Sequence, residues 1–166
     1  LVSKNIEVHG IERIPLSSNS KKIKSQLTNY KDSLNTYNIN LMSYEQTRLL
    51  IKDIKPDYIF HLAATHFSSQ SNFNDPFKLN NSIFFENVTP AMNLLRSICE
   101  LEFNTRLVFA GSCLMYDGSS TSPQDEKTPW NSNSAYGLSK ITVANWIKFL
   151  RKKYNIKAST AILYNH

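Results

Sequence analysis

Ser134-Ala135-Tyr136-Gly137-Leu138-Ser139-Lys140 opens an amphipathic run that ends near Tyr154. Its spacing predicts a helix with Tyr136 and Lys140 four residues apart on one face. A tyrosine hydroxyl ionises at a pKa of about 10, too high for a base at neutral pH, and an ammonium one turn away favours the phenolate. The pair suits proton transfer, and the same spacing also arises in helices that do no chemistry. Upstream, Leu107-Val108-Phe109-Ala110 reads as a buried strand ending in a sharp Gly111-Ser112 step. A hydroxyl at that point is placed to polarise a substrate oxygen.

Strand and helix signals alternate along the rest of the chain. Ile6-Glu7-Val8-His9-Gly10-Ile11 alternates like a strand, and a polar stretch from Pro15 to Ser33 follows it. Thr36 to Asn40 reads as a short strand. Ser43 with Gln46 forms a capping box for a helix from Tyr44 to Ile54, which Lys55-Pro56-Asp57 stops. Tyr58-Ile59-Phe60-His61-Leu62-Ala63-Ala64 is an apolar run of the parallel-strand type, and Asp75-Pro76 begins a long helix to about Leu101. Arg106 to Gly111 and Lys157 to Leu163 read as further strands, with an aperiodic loop between Gly118 and Asn133. The pattern predicts an α/β fold with a parallel sheet, in which ligands bind at the carboxyl edge of the strands. Ala63 and Ala64 either let a ligand lie against the backbone there or serve tight packing.

Composition narrows the class. At 166 residues and 41% hydrophobic content the chain is long enough for one domain with a sizeable core. A net charge of +6 raises the question of nucleic acid. The basic clusters Lys21-Lys22-Lys24 and Arg151-Lys152-Lys153 are local, however, one in a Ser/Asn-rich loop and one at a helix C-terminus where cations favour the dipole. A solvated surface, suited also to anionic ligands, is the reading adopted, with no nucleic-acid partner. No apolar run reaches membrane-spanning length, so no membrane association is expected. Cys99 and Cys113, without a secretory signal, read as reduced thiols in the cytoplasm. His61 and His66 have no Cys or carboxylate at ligand spacing, and no metal site is expected.

The residues Ser112, Tyr136 and Lys140 give the chain a specific resemblance to the extended short-chain dehydrogenase/reductases that act on nucleotide sugars. Within that family it is most similar to the GDP-mannose 4,6-dehydratases, through Glu7-Val8-His9-Gly10-Ile11-Glu12-Arg13, His61-Leu62-Ala63-Ala64 and Ile162-Leu163-Tyr164-Asn165-His166. The resemblance implies a Rossmann-like, doubly wound parallel sheet and residues 1–166 as one partial NAD(P)-binding domain. The first strand with its glycine-rich turn would precede residue 1, and the substrate domain would follow His166. The scattered glycines Gly10, Gly111, Gly118 and Gly137 do not replace that turn.

By the same resemblance Ser112, Tyr136 and Lys140 are catalytic. Arg13 reads the cofactor 2′-phosphate, favouring NADP over NAD. Asn40 and Leu41 hold the adenine ring where relatives carry Asp-Leu, and Leu62, Ala63, Ala64, Lys140 and His166 line the cofactor. Asn165, with Ser112, contacts the substrate, a nucleotide sugar of the GDP-mannose kind. Asn87 either braces backbone or meets the chemistry. Phe77 and Lys78 stand where relatives carry a cofactor-contacting Tyr. A homodimer or higher homo-oligomer would form through the long helices.

The implied chemistry begins with oxidation at sugar C4. Dehydratases then remove the C5 proton with a Glu two residues past the catalytic Ser/Thr, and that position is Leu114, while Asp117 lies three residues further on. Three readings follow: a dehydratase whose base comes from elsewhere, a C4 epimerase or reductase that needs no such base, and an inactive cofactor-binding module.

Overall fold

A computed structural model describes residues 6–11, 34–65, 75–118 and 122–164. The chain divides into two compact units, residues 1–40 and residues 41–166.

In the first unit, β1 (Val8–Ile11) and β2 (Leu34–Tyr37) pair in parallel, from Val8 opposite Leu34 to Ile11 opposite Tyr37. Side chains fix that register: His9 Nδ1 and the Tyr37 hydroxyl lie 3.0 Å apart, and Glu7 accepts from Asn35 at 2.9 Å. The sequence pattern places the second strand at Thr36 to Asn40, whereas the ladder ends at Tyr37. Its neighbour β1 ends opposite, at Ile11, and a strand without a partner has nowhere to place its amides.

The second unit carries α1 (Tyr44–Ile54), β3 (Tyr58–His61), α2 (Pro76–Leu101), β4 (Arg106–Ser112), a short 3-10 turn (Cys113–Tyr116), α3 (Ala135–Tyr154) and β5 (Lys157–Leu163). The strands form a parallel sheet in the order β3-β4-β5. Phe109 and Leu107 of β4 face Leu94, Leu95 and Ile98 of α2 and Val143, Ile147 and Leu150 of α3, all buried in one cluster with Ala158 of β5. Side chains every three or four residues on each helix, and every second residue on β4, supply one apolar face apiece, and their burial holds the layers together.

Helix ends are set by local chemistry. Ser43 accepts from Gln46 N at 3.4 Å, Asp75 from Phe77 N and Lys78 N at 3.0 and 3.1 Å, and Ser134 from Gly137 N at 3.1 Å. The three helices end in left-handed residues that are not glycine, Lys55, Glu102 and Asn155, with φ of 49°, 52° and 52°.

Two further boundaries differ from the sequence pattern. β3 stops at His61, three residues before Ala64, because beyond the pairing of His61 with Phe109 the chain leaves the ladder. The Thr65 peptide is instead claimed by buried Asn87 of α2, which accepts from Thr65 N and donates to Thr65 O, each at 2.8 Å, and donates to Ile83 O at 2.8 Å. Gly111 is no turn but an in-strand residue at a close crossing, where a Cβ would stand 3.0 Å from Thr160 Cγ2 and 3.1 Å from Met115 Sδ. Of the two roles open to Asn87, the hydrogen bonds are those of a brace. Replacing Asn87 by Leu removes both bonds to the part-buried Thr65 peptide and the extra bond to Ile83 O, and a loss of about 2–3 kcal/mol in urea unfolding is expected.

Candidate active site

Three chain segments meet where β4 ends. Ser112 is the last residue of β4 and caps the 3-10 turn, its Oγ accepting from Leu114 N at 3.2 Å. With that bond accepted, the hydroxyl proton is free to be aimed at another oxygen. α3 begins against the same turn. A Cβ on Gly137 would collide with the Leu114 carbonyl and the Ser132 hydroxyl and lie 2.8 Å from Ser132 Cβ, so only glycine lets the helix approach this closely. That approach sets the height of Tyr136 and Lys140 relative to Ser112.

Lys140 is the most unusual residue of the protein. It is 2% exposed, and its Nζ donates to Ala110 O at 2.9 Å, two residues before Ser112. Among the described residues no carboxylate pairs with it. Burial pulls its pKa down to about 8. Its neighbours are aromatic: Nζ lies 4.7 Å from the Phe109 centroid and 5.4 Å from that of Tyr136. His61 stacks on the other partner in this group, Phe109, at 5.8 Å. The His61 ring is 4% exposed, its Nε2 has no hydrogen-bond partner among the described residues, and burial followed by the charge of Lys140 holds its pKa at about 4. The imidazole is therefore neutral at pH 7.

The Tyr136 hydroxyl differs from expectation. The sequence pairing implies that Lys140 lowers its pKa, but burial of the phenol, and then the field of Cys113, raise it. The physical reason is placement: the ammonium sits over the ring and donates to a carbonyl of β4. Leu114 is half-buried beside this group, and the Asp117 carboxylate is committed to Asn133 N at 2.6 Å, bracing the loop that leads into α3. A cavity of about 550 Å³ opens beside Tyr136, with Asn80 and Ile83 of α2 on one wall and Asn133 and Ser134 on the other.

The remaining predicted positions fall in three places. Leu62, Ala63 and Ala64 follow β3 at the carboxyl edge and are exposed, with Leu62 65% open, so small side chains leave backbone accessible where a dinucleotide would lie. Leu41 is fixed by Asn93 of α2, which donates to its carbonyl at 2.8 Å, and Asn40 before it is exposed. Arg13, Asn165 and His166 lie outside the described residues, as does His66. The small exposed edge and an ammonium with further N–H donors fit a nicotinamide dinucleotide; Ala63, Ala64 and Lys140 would hold it. Among the described residues no group of three His, Cys, Asp or Glu side chains is placed to hold a metal ion. The contributions of Phe109 and His61 were not visible in the residue pattern, where Phe109 read as part of a buried strand and His61 only as a candidate metal ligand and as part of the family resemblance; the register pairing of the two is the signal that links them.

The buried ammonium costs stability. Its folded pKa of about 8 lies below the ordinary 10.5, so the folded state sheds the proton first and stability rises between about pH 8 and 10.5. Below pH 8 the full penalty applies, on the order of 3 kcal/mol. Lys140→Met should raise the urea midpoint at pH 7 and abolish the alkaline rise. Gly137→Ala should lower the midpoint at every pH.

The whole chain, residues 1–166, matches the model of the NAD dependent epimerase/dehydratase family. GDP-mannose 4,6 dehydratase of Drosophila melanogaster is 28% identical over 173 residues, and GDP-mannose 4,6 dehydratase 2 of Caenorhabditis elegans is 30% identical over 174. Each alignment takes in all of this chain but only 42% and 44% of the relative. The chain thus spans less than half the length of these curated relatives. In fold it is similar to UDP-glucose 4-epimerase from Brucella ovis in complex with NAD, with a TM-score of 0.72, 15% identity, and 96% of this chain covering 52% of that one. It is likewise similar to a GDP-mannoheptose C4 reductase from Campylobacter jejuni with NADP bound, with a TM-score of 0.71, 18% identity, and 96% covering 48%. These solved structures share a Rossmann fold with this chain. With the family model matched along its whole length, the chain belongs to the NAD dependent epimerase/dehydratase family.

Proposed function

We propose that this chain is the nucleotide-binding part of an enzyme that oxidises C4 of a nucleotide-linked sugar, of the GDP-mannose 4,6-dehydratase kind, with NADP or NAD. One observation carries the reading: a buried lysine with no carboxylate partner among the described residues stands over the ring of Tyr136, at the strand end that carries Ser112. A protein keeps a charge in that position at a cost of several kcal/mol, which is the signature of a working site.

Bound nicotinamide supplies the hydride acceptor and donor. As the phenolate, Tyr136 would take the proton of the C4 hydroxyl, and Ser112, its own oxygen already accepting from Leu114 N, would donate to the same sugar oxygen. Lys140, with Nζ donating to Ala110 O, has remaining donors that suit a ribose hydroxyl. Arg13 is assigned the 2′-phosphate, Asn40 and Leu41 the adenine, Asn165 the substrate and His166 the nicotinamide end. The cytoplasm, where Cys99 and Cys113 stay thiols, is the assigned compartment. No helix of the described residues is long and apolar enough to cross a membrane.

Leu114 favours a second reading. With no acid at that position and Asp117 bonded to Asn133, a C4 epimerase or reductase, which needs no C5 base, fits the same residues. A second copy of the chain is the partner assigned to the outer faces of α2 and α3, where Phe85, Leu138, Trp146 and Phe149 are exposed.

The test is direct. Full-length protein with GDP-mannose and NADP should release the 4-keto-6-deoxy sugar with loss of water. A C4 epimer or a reduced sugar instead would select the second reading, and cofactor binding without any product would mark an inactive module. Tyr136→Phe should lower turnover by about 10²–10⁴-fold while leaving the dissociation constant for NADPH within a few-fold; unchanged turnover would remove Tyr136 from its role.

A further inference from the structure

Two aromatic rings stand around Lys140, where no carboxylate is found among the described residues. Phe109, 1% exposed, has its ring centroid 4.7 Å from Nζ, and Tyr136 has its centroid at 5.4 Å. Both lie inside the roughly 6 Å within which a π face attracts an ammonium, and the attraction is strongest where water is absent. Phe109 is also clamped. Its Cα partner across the sheet is His61, whose ring stacks on it at 5.8 Å with an interplanar angle of 26°. Among the described residues the ionisable side chains that interact with the ammonium are His61 from β3 and Tyr136 on α3, with Cys113 of the 3-10 turn acting on Tyr136, and none is a carboxylate.

We propose that Phe109 is a positioning residue for Lys140: the π face of its buried ring, with that of Tyr136, takes the place of a counter-ion and holds the ammonium beneath the candidate site. This rests on the assignment of Lys140 to the chemistry. It adds that the ring electrons, and not only the ring volume, keep the lysine charged. His61 serves the same end by stacking on Phe109 while remaining neutral.

The ring is tested without changing its shape by replacing Phe109 with 3,4,5-trifluorophenylalanine, whose π face is electron-poor, in the full chain. The substitution is made once with Lys140 and once with Lys140→Met. With Lys140 present the unfolding equilibrium constant should rise about ten-fold, and in the Lys140→Met background by less than about two-fold. Equal changes in the two backgrounds would overturn the proposal, since ring volume would then explain everything. A second measurement reads the charge itself. Phe109→Leu should shift the alkaline rise in stability to lower pH, and Phe109→Tyr should restore it; an unshifted rise in Phe109→Leu counts against the role. Neither readout requires turnover, so a protein without sugar chemistry would defeat the enzymatic assignment and leave the aromatic one decided on its own.

Discussion

Everything around the carboxyl edge of the second unit answers to one buried positive charge. Lys140 points from α3 into the sheet and rests on the Ala110 carbonyl, and the elements that touch it are arranged to make this tolerable. β4 offers a carbonyl and a ring, α3 offers a phenol, and β3 offers an imidazole that stays neutral. An unpaired ammonium in an apolar interior is among the costliest things a fold can keep. The surrounding core, Leu95, Val143 and Ile147 among its most buried members, supplies the stability that offsets it.

Much of this could be read from the residues in order. The capping box at Ser43 and Gln46, the Asp75-Pro76 helix start and the alternation of strand with helix were visible because caps and periodicity are local. Tyr136 and Lys140 were visible because a helix converts sequence spacing into a shared face. Strand ends were less so: β2 closes opposite the last residue of β1, and β3 leaves its ladder while β4 runs on to Ser112, with the Thr65 peptide taken up by Asn87 of α2, and neither partner is local information. For the same reason the pattern gave no hint that His61, Phe109 and Lys140 form one group, although they come from three different elements. The expected lowering of the Tyr136 pKa failed because it considered only one neighbour on the helix and not the burial of the ring.

Leu114 bears on which reaction the proposed site would carry out. The backbone of this residue is doubly engaged, its N–H bonded to Ser112 and its carbonyl pressed under Gly137, so its place in the fold is fixed whatever its side chain. The side chain is therefore the part free to vary, and under the proposed function an exchange here leaves Ser112, Tyr136 and Lys140 in place.

The left-handed helix ends at Lys55, Glu102 and Asn155 carry a different implication. Side chains with a Cβ pay a conformational penalty there that glycine escapes, about 1 kcal/mol at each position. All three lie away from Tyr136, at the amino ends of the following strands. The molecule thus holds a reserve of thermal robustness at the face opposite its chemistry, open to engineering without disturbing a single reacting group.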